Sequence, residues 1–204
     1  MTAIREAIVD RTLALAHEQG WEAVRLADVA DELGIGMLTF SRYFAEKDDI
    51  IDAWLDRADE AMLSEADRPG FRELGPREGI RRMMLAYLEA LAPYHRVTRE
   101  MIGHKLEFGH VHVQFPALLR ISRTVQWIRE SNRRPDTFFV RGLEESVLTS
   151  IFVTTFVTWL RDDTPDHRIT HERLDWMLGR AEAAARSTLP RLREWPLPSL
   201  QVRL

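Results

Sequence analysis

Cysteine is absent from the 204 residues, which excludes disulfide frameworks, cysteine-ligated zinc, thiol nucleophiles and redox pairs together. A chain this long buries roughly 70 % of its unfolded surface, so its core needs neither a covalent staple nor a structural metal. Alternating apolar and polar segments are also missing, and no strand is expected. Residues 1–20 carry Arg5, Glu6, Asp10, Arg11 and Glu18 among their apolar positions. That leaves no uninterrupted secretory core, and the protein is expected to be cytoplasmic. There is no Gly-rich phosphate loop, no G-x-S-x-G elbow and no H-E-x-x-H pair. Neither enzyme activity nor a cofactor is therefore expected.

Positive charge is scarce at the start of the chain. Residues 1–60 hold six basic side chains (Arg5, Arg11, Arg25, Arg42, Lys47, Arg57) against fourteen carboxylates, a balance of −8 within a total of −4. Positions 61–204 are therefore net positive by four.

What is present nearly everywhere is apolar spacing at i, i+3 and i+4, the period of amphipathic helices, so the fold class is all-α. Helices are expected at 3–20, 27–33, 37–44, 47–66, 77–92, 94–108, 117–129, 137–161 and 170–189. Pro93, Pro116, Pro135 and Pro165 are expected to fall in the gaps. Ile4, Ile8, Val9, Thr12, Leu13, Leu15 and Ala16 are expected to form one side of the first helix. Residues 142–160 are the one stretch with the length and apolarity of a membrane span. Glu144 and Glu145 in its first turn and the Ser and Thr within it argue for a buried bundle helix and no integral membrane association.

Residues 24–47 have the form of a helix-turn-helix. Val29, Ala30 and Leu33 give the first helix a small apolar face, Gly34 permits a left-handed turn, Ile35 plugs the corner, and Phe40 and Phe44 anchor the second helix at i, i+4. Such a second helix enters the DNA major groove by its N-terminal residues.

The run LADVADELGI at 26–35, TFSRYF at 39–44 and KDDI at 47–50 resembles the TetR family of bacterial regulators over roughly residues 4–55. The resemblance implies a TetR-like, three-helix DNA-binding head (residues 1–47) and a helical ligand-binding and dimerisation body (48–204). It implies double-stranded DNA, an apolar or amphiphilic small molecule and a second copy of the chain as partners. Two positions depart from the pattern: Gly36 stands where the family has a capping Ser or Thr, and Ser41 where it has a Tyr on a phosphate. The DNA-contacting residues carried over are Met37, Leu38, Thr39, Ser41, Arg42, Tyr43 and Lys47. Met37 and Leu38 offer only apolar contact to bases, and the others mostly suit phosphates.

In the body, Met84, Tyr87, Leu88, Leu91, Met101, Trp127 and Phe152 are the candidates for lining a ligand cavity between helices. Only Glu89 is charged in 83–91 and nothing is charged in 147–160, so few interior charges and a neutral or amphiphilic guest are expected. Leu143, Val147, Leu148, Ile151, Phe152, Thr155, Phe156 and Trp159, with Leu174, Trp176, Met177, Leu178 and Ala181, give more apolar surface than one core needs. A two-fold dimer through a four-helix interface is the expected use of it.

Residues 122–186 also resemble, more weakly, the TetR-like lipid-binding accessory proteins of ubiquinone biosynthesis, through TVQWI at 124–128, FVRGL at 139–143 and WLRDD at 159–163. That resemblance implies an alternative, a lipid- or isoprenoid-binding protein that does not bind DNA. His104, Glu107, His110 and His112 are the one group of metal-ligand residue types, with ordinary surface roles the expected reading and no metal assigned. Arg72, Arg77, Arg81 and Arg82 read as a solvent-facing helix start.

Overall fold

The structure is a computed structural model that describes residues 2–106, 111–132 and 138–193, with side chains at 3–105, 120–132 and 142–187. The described residues form nine α-helices and no strand. They are α1 (Thr2–Gln19), α2 (Leu26–Glu32), α3 (Met37–Phe40), α4 (Lys47–Ala66), α5 (Pro76–Leu91), α6 (His95–Leu106), α7 (Val111–Ser131), α8 (Phe138–Leu160) and α9 (Arg168–Arg193). The all-α expectation holds.

Local chemistry explains most of the boundaries. Gly20, at φ +88°, closes α1 with its N–H on the Ala16 carbonyl at 2.9 Å. Within α1, Ile8, Val9, Leu13, Leu15 and Ala16 are buried, and Thr12 is admitted because its hydroxyl donates to the Ile8 carbonyl at 2.7 Å. Ile4 departs from the expected side and is exposed, one turn short of the packed region. At α4, the Asp49 carboxylate accepts from the Ala45 and Glu46 N–H groups at 2.8 and 3.0 Å, and with Glu46 it completes a capping box. The Pro69–Gly70 break folds as a left-handed Gly70 followed by a buried Phe71, and Pro76 starts α5 at the position where its missing N–H is harmless.

One proline departs from its expected place, and a helix runs past its expected end at a second. Helix α7 begins at Val111 and runs through Pro116, which was expected in a gap, and α9 continues through Pro190 to Arg193. Both prolines lie near a helix end, where a lost backbone bond disturbs fewer turns than it would in a helix interior.

Helix α4 packs most extensively on α5 and also meets α1 and α7, while α8 packs on α9, α7, α6 and α5. The core of the body gathers Met62, Met83, Met84, Leu88, Leu91, Val97, Met101, Val125, Ile128, Leu148, Ile151, Trp159 and Leu174. The apolar stretch Gly142–Leu160 lies within α8 and is long and apolar enough to cross a membrane. One side of α8 joins this core through Leu148, Ile151, Phe152 and Trp159, and the other exposes Leu143, Val147, Val153 and Val157. The basic stretch ties α5 to its neighbours: Arg81 pairs with Asp175 of α9 at 2.7 Å, Arg77 donates to the Asp175 carbonyl, and Arg82 meets Glu78 and Glu65.

Candidate nucleic-acid interface

The turn between α2 and α3 is set by Gly34. At φ +64° its N–H bonds the Asp31 carbonyl at 3.0 Å, and the following Ile35 N–H bonds the Ala30 carbonyl at 3.0 Å. This is a Schellman ending, whose left-handed position glycine fills without strain. Gly36 then caps α3 in extended conformation with no side-chain acceptor, its carbonyl taking the Thr39 and Phe40 N–H groups. Phe40 and Phe44 are buried with ring centres 6.3 Å apart and hold α3 against the head.

That anchoring turns the rest of α3 outward. Met37 and Leu38 are 48 % and 73 % exposed, Thr39 is half-buried, and Ser41 and Arg42 are exposed. The Ser41 hydroxyl donates to the Leu38 carbonyl at 3.1 Å, and Tyr43 packs partly against the core. Ser41, Arg42 and Tyr43 share an open concavity of about 430 Å³ with Arg5, Phe44, Ala45, Asp49 and Asp52.

Lys47 points elsewhere. Its Nζ donates to the Trp21 carbonyl at 2.6 Å and lies 4.5 Å from the centre of the Trp21 ring, so the ammonium locks the α1–α2 loop to the start of α4. Burial pushes its pKa down from the ordinary lysine range, while Glu22 and Asp48 pull it up.

The other cations of residues 1–60 divide cleanly. Arg5 meets Glu6 and Asp56, Arg11 bonds Glu32, and Arg57 bonds Glu6 and Asp10. Among the described residues of the head, Arg25 and Arg42 are exposed arginines without an ion pair. Sequence reasoning did not single out Arg25, although its place just before α2 was visible.

The head and the start of α4 are fastened to α6 at several points. Glu100 accepts the Trp21 N–H at 2.7 Å, His104 Nδ1 meets Glu22 at 2.8 Å, and Lys105 donates to Asp52 at 2.8 Å. His104 is thus a link between α6 and the head loop. Glu107, His110 and the side chain of His112 lie outside the described residues, and no group of three metal-ligand residues occurs among those described.

In the body, Met84, Tyr87, Leu88, Leu91, Met101 and Phe152 are all buried, with the Tyr87 and Phe152 ring centres 5.3 Å apart. Trp127 stands apart at 47 % exposed, because α7 turns Val125 and Ile128 inward instead.

Few interior charges were expected, and one charged cluster lies between α4 and α7. Arg120 of α7 donates to Asp56 and Asp59 of α4 at 2.9 and 2.8 Å, and the Thr124 hydroxyl donates to Asp59 at 2.8 Å. Burial pushes the Asp59 carboxyl up, against Arg120 and Thr124, and pushes the Tyr87 phenol beside this cluster up as well. These charges escaped notice because they come from helices other than the two apolar stretches. A signal existed: Asp59 falls on the same stripe as Leu55 and Met62, an apolar face where a carboxylate needs a partner.

The comparisons agree with this geometry. Residues 8–54 match the family of bacterial regulatory proteins, tetR family. A TetR transcriptional regulator from Nitrosomonas europaea ATCC 19718 is similar in structure, with 45 % identity, a TM-score of 0.79, and coverage of 88 % of this chain and 98 % of that one. A TetR-like transcriptional regulator from Rhodococcus sp. RHA1 shares the fold at 18 % identity, with a TM-score of 0.52 and coverage of 89 % and 97 %. A comparison with curated proteins found no match.

Proposed function

The chain belongs to the tetR family of bacterial regulatory proteins and is a transcriptional regulator, and we propose that it acts as a homodimer whose hold on DNA is set by a small molecule in its body. Residues 1–47 serve as the DNA-binding head and 48–204 as the ligand-binding and dimerisation body. Thr39, Ser41, Arg42 and Tyr43 approach the DNA backbone, Met37 and Leu38 meet base edges through apolar contact, and Lys47 holds the start of α4 in place for them.

The observation that carries the reading is the continuity of α4. It starts at the head, where Lys47 is bonded to Trp21, and three turns later it is bonded through Asp56 and Asp59 to Arg120 in the body. A guest that displaces α7, or α6 with its Glu100 and His104 contacts, therefore acts on the head through bonded groups. Two arrangements with different ligand affinity give two DNA affinities by linkage.

The dimer reading is supported by the outer side of α8, with Leu143, Val147, Val153 and Val157, and by Trp176 of α9, 64 % exposed. In a two-fold pair, α8 and α9 of each copy would form a four-helix interface and space the recognition helices about one DNA turn apart. Light scattering at micromolar concentration should give twice the mass of one chain.

The deciding experiment is a mobility shift with DNA from around the protein's own gene, with and without an organic extract of the source cells. A shift weakened by the extract is the expected result. Lipid co-purifying with a protein that shifts no DNA would replace the regulator by the lipid- or isoprenoid-binding alternative.

A further inference from the structure

The buried side of α8 carries two hydrogen-bonding atoms that have no partner among the described residues, Thr155 Oγ1 and Trp159 Nε1, on residues 2 % and 1 % exposed. Buried polar atoms in proteins are nearly always paired. Elsewhere in α8, the hydroxyls of Ser146, Ser150 and Thr158 donate to the carbonyl four residues back at 2.9, 2.9 and 2.7 Å, and the buried Trp54 indole donates to Thr98 at 2.9 Å. Thr155 has the same kind of carbonyl within its own helix and does not use it. The two residues sit one helical turn apart on the same face of α8.

Their surroundings are mostly aromatic, with the His167 imidazole 5.6 Å from the Trp159 ring by centroid. The Phe152 and Phe156 rings stack at 6.3 Å, Phe156 stacks on Trp159 at 5.9 Å, and Tyr87 of α5 meets Phe152 and Phe156 edge-on at 5.3 and 6.2 Å. Asp59 and Arg120 act on Tyr87 from beside this array; both terminal nitrogens of Arg120 are on Asp56 and Asp59, and its Nε has no partner among the described residues. His95, 4.4 Å from the Trp159 ring by centroid, has its Nε2 on the Trp159 carbonyl at 2.7 Å.

An indole N–H only donates, and a threonine hydroxyl can donate beside it. What satisfies both is one oxygen with two lone pairs, and the aromatic rings beside it favour an uncharged carrier over an anion that would have to shed its hydration. We propose that Thr155 and Trp159 receive the carbonyl oxygen of an uncharged, flat, apolar ligand whose frame lies against Phe152, Phe156 and Tyr87. This deepens, and rests on, the reading of the body as the ligand-receiving half.

The test uses the full-length protein and two pairs of shape-matched probes: acetophenone against α-methylstyrene, and benzophenone against 1,1-diphenylethylene. Each pair exchanges a carbonyl oxygen for a methylene. The ketones are expected to bind about tenfold more tightly than the alkenes, as two neutral hydrogen bonds would give. They should also move the Trp159 indole N–H resonance, assigned with Trp159→Phe. Thr155→Val keeps the shape and removes the hydroxyl. It should reduce the ketone preference about threefold to fivefold and raise the melting temperature of the empty protein, because an unpaired polar atom is gone. Equal binding of ketones and alkenes, no binding by any of the four, an unmoved Trp159 resonance, or a lower melting temperature for Thr155→Val would each overturn the proposal. A mobility shift on the same samples keeps the two questions apart. DNA binding without ketone binding removes this site alone, and ketone binding without any DNA complex removes the regulator reading alone.

Discussion

Lys47 and Trp21 are joined twice, by a 2.6 Å hydrogen bond from Nζ to the Trp21 carbonyl and by the ammonium lying 4.5 Å from the indole centre. Together with the Trp21 N–H on Glu100, this makes the loop after α1 the meeting point of α1, α4 and α6.

Removing that junction should loosen the head. Lys47→Ala is expected to lower stability by about 1–2 kcal/mol, from a lost hydrogen bond and cation–π contact at a half-buried site. Urea unfolding measures it. Because the ammonium is turned inward, the same change should weaken DNA binding while altering the salt dependence by less than one phosphate contact.

Arg42 supplies the contrast, being exposed and without an ion pair among the described residues. Arg42→Ala should lower the slope of log affinity against log salt by about one unit on every DNA sequence. Leu38→Ala should leave the slope unchanged and weaken only those sites that offer a thymine methyl to the exposed side chain. Fluorescence anisotropy across a salt series distinguishes the two.

Arg120 holds two carboxylates of α4 in a mostly buried site. Arg120→Ala leaves Asp59 buried without its cation and should cost about 3–5 kcal/mol, read from denaturant midpoints. Asp59→Asn should cost less. Burial already favours the uncharged form of that carboxyl, and an amide oxygen still accepts from Thr124. If the cluster transmits ligand occupancy to α4, Asp59→Asn also reduces the ligand's effect on DNA affinity.

Asp162 gives a pH signature at the corner between α8 and α9. It is buried and accepts from the N–H and hydroxyl groups of Thr164 and Thr170, which outweigh the opposing effect of burial and hold its pKa down at about 2 against an ordinary 3.8. A carboxylate depressed in this way stabilises the folded state above pH 3.8, and the gain is lost as pH falls towards 2. It amounts to about 2 kcal/mol. Asp162→Asn should remove that part of the acid dependence, seen by comparing the two unfolding curves between pH 4 and pH 2.

The all-helical class, the left-handed turn at Gly34, the anchoring of α3 by Phe40 and Phe44 and the span of α4 were all legible in the sequence. Each depends on spacing or conformational freedom that operates within a few residues. Pro116 misled because a helix near its end tolerates a missing N–H, and only the surrounding packing decides whether it continues, as α9 also does past Pro190. The direction of Lys47, the exposure of Trp127 and the charged cluster of Asp59 and Arg120 were decided by tertiary structure alone. A side chain's partner across 26 or 61 residues follows from how helices pack. The pattern along one helix fixes which face is apolar, and the neighbouring helices determine what that face meets.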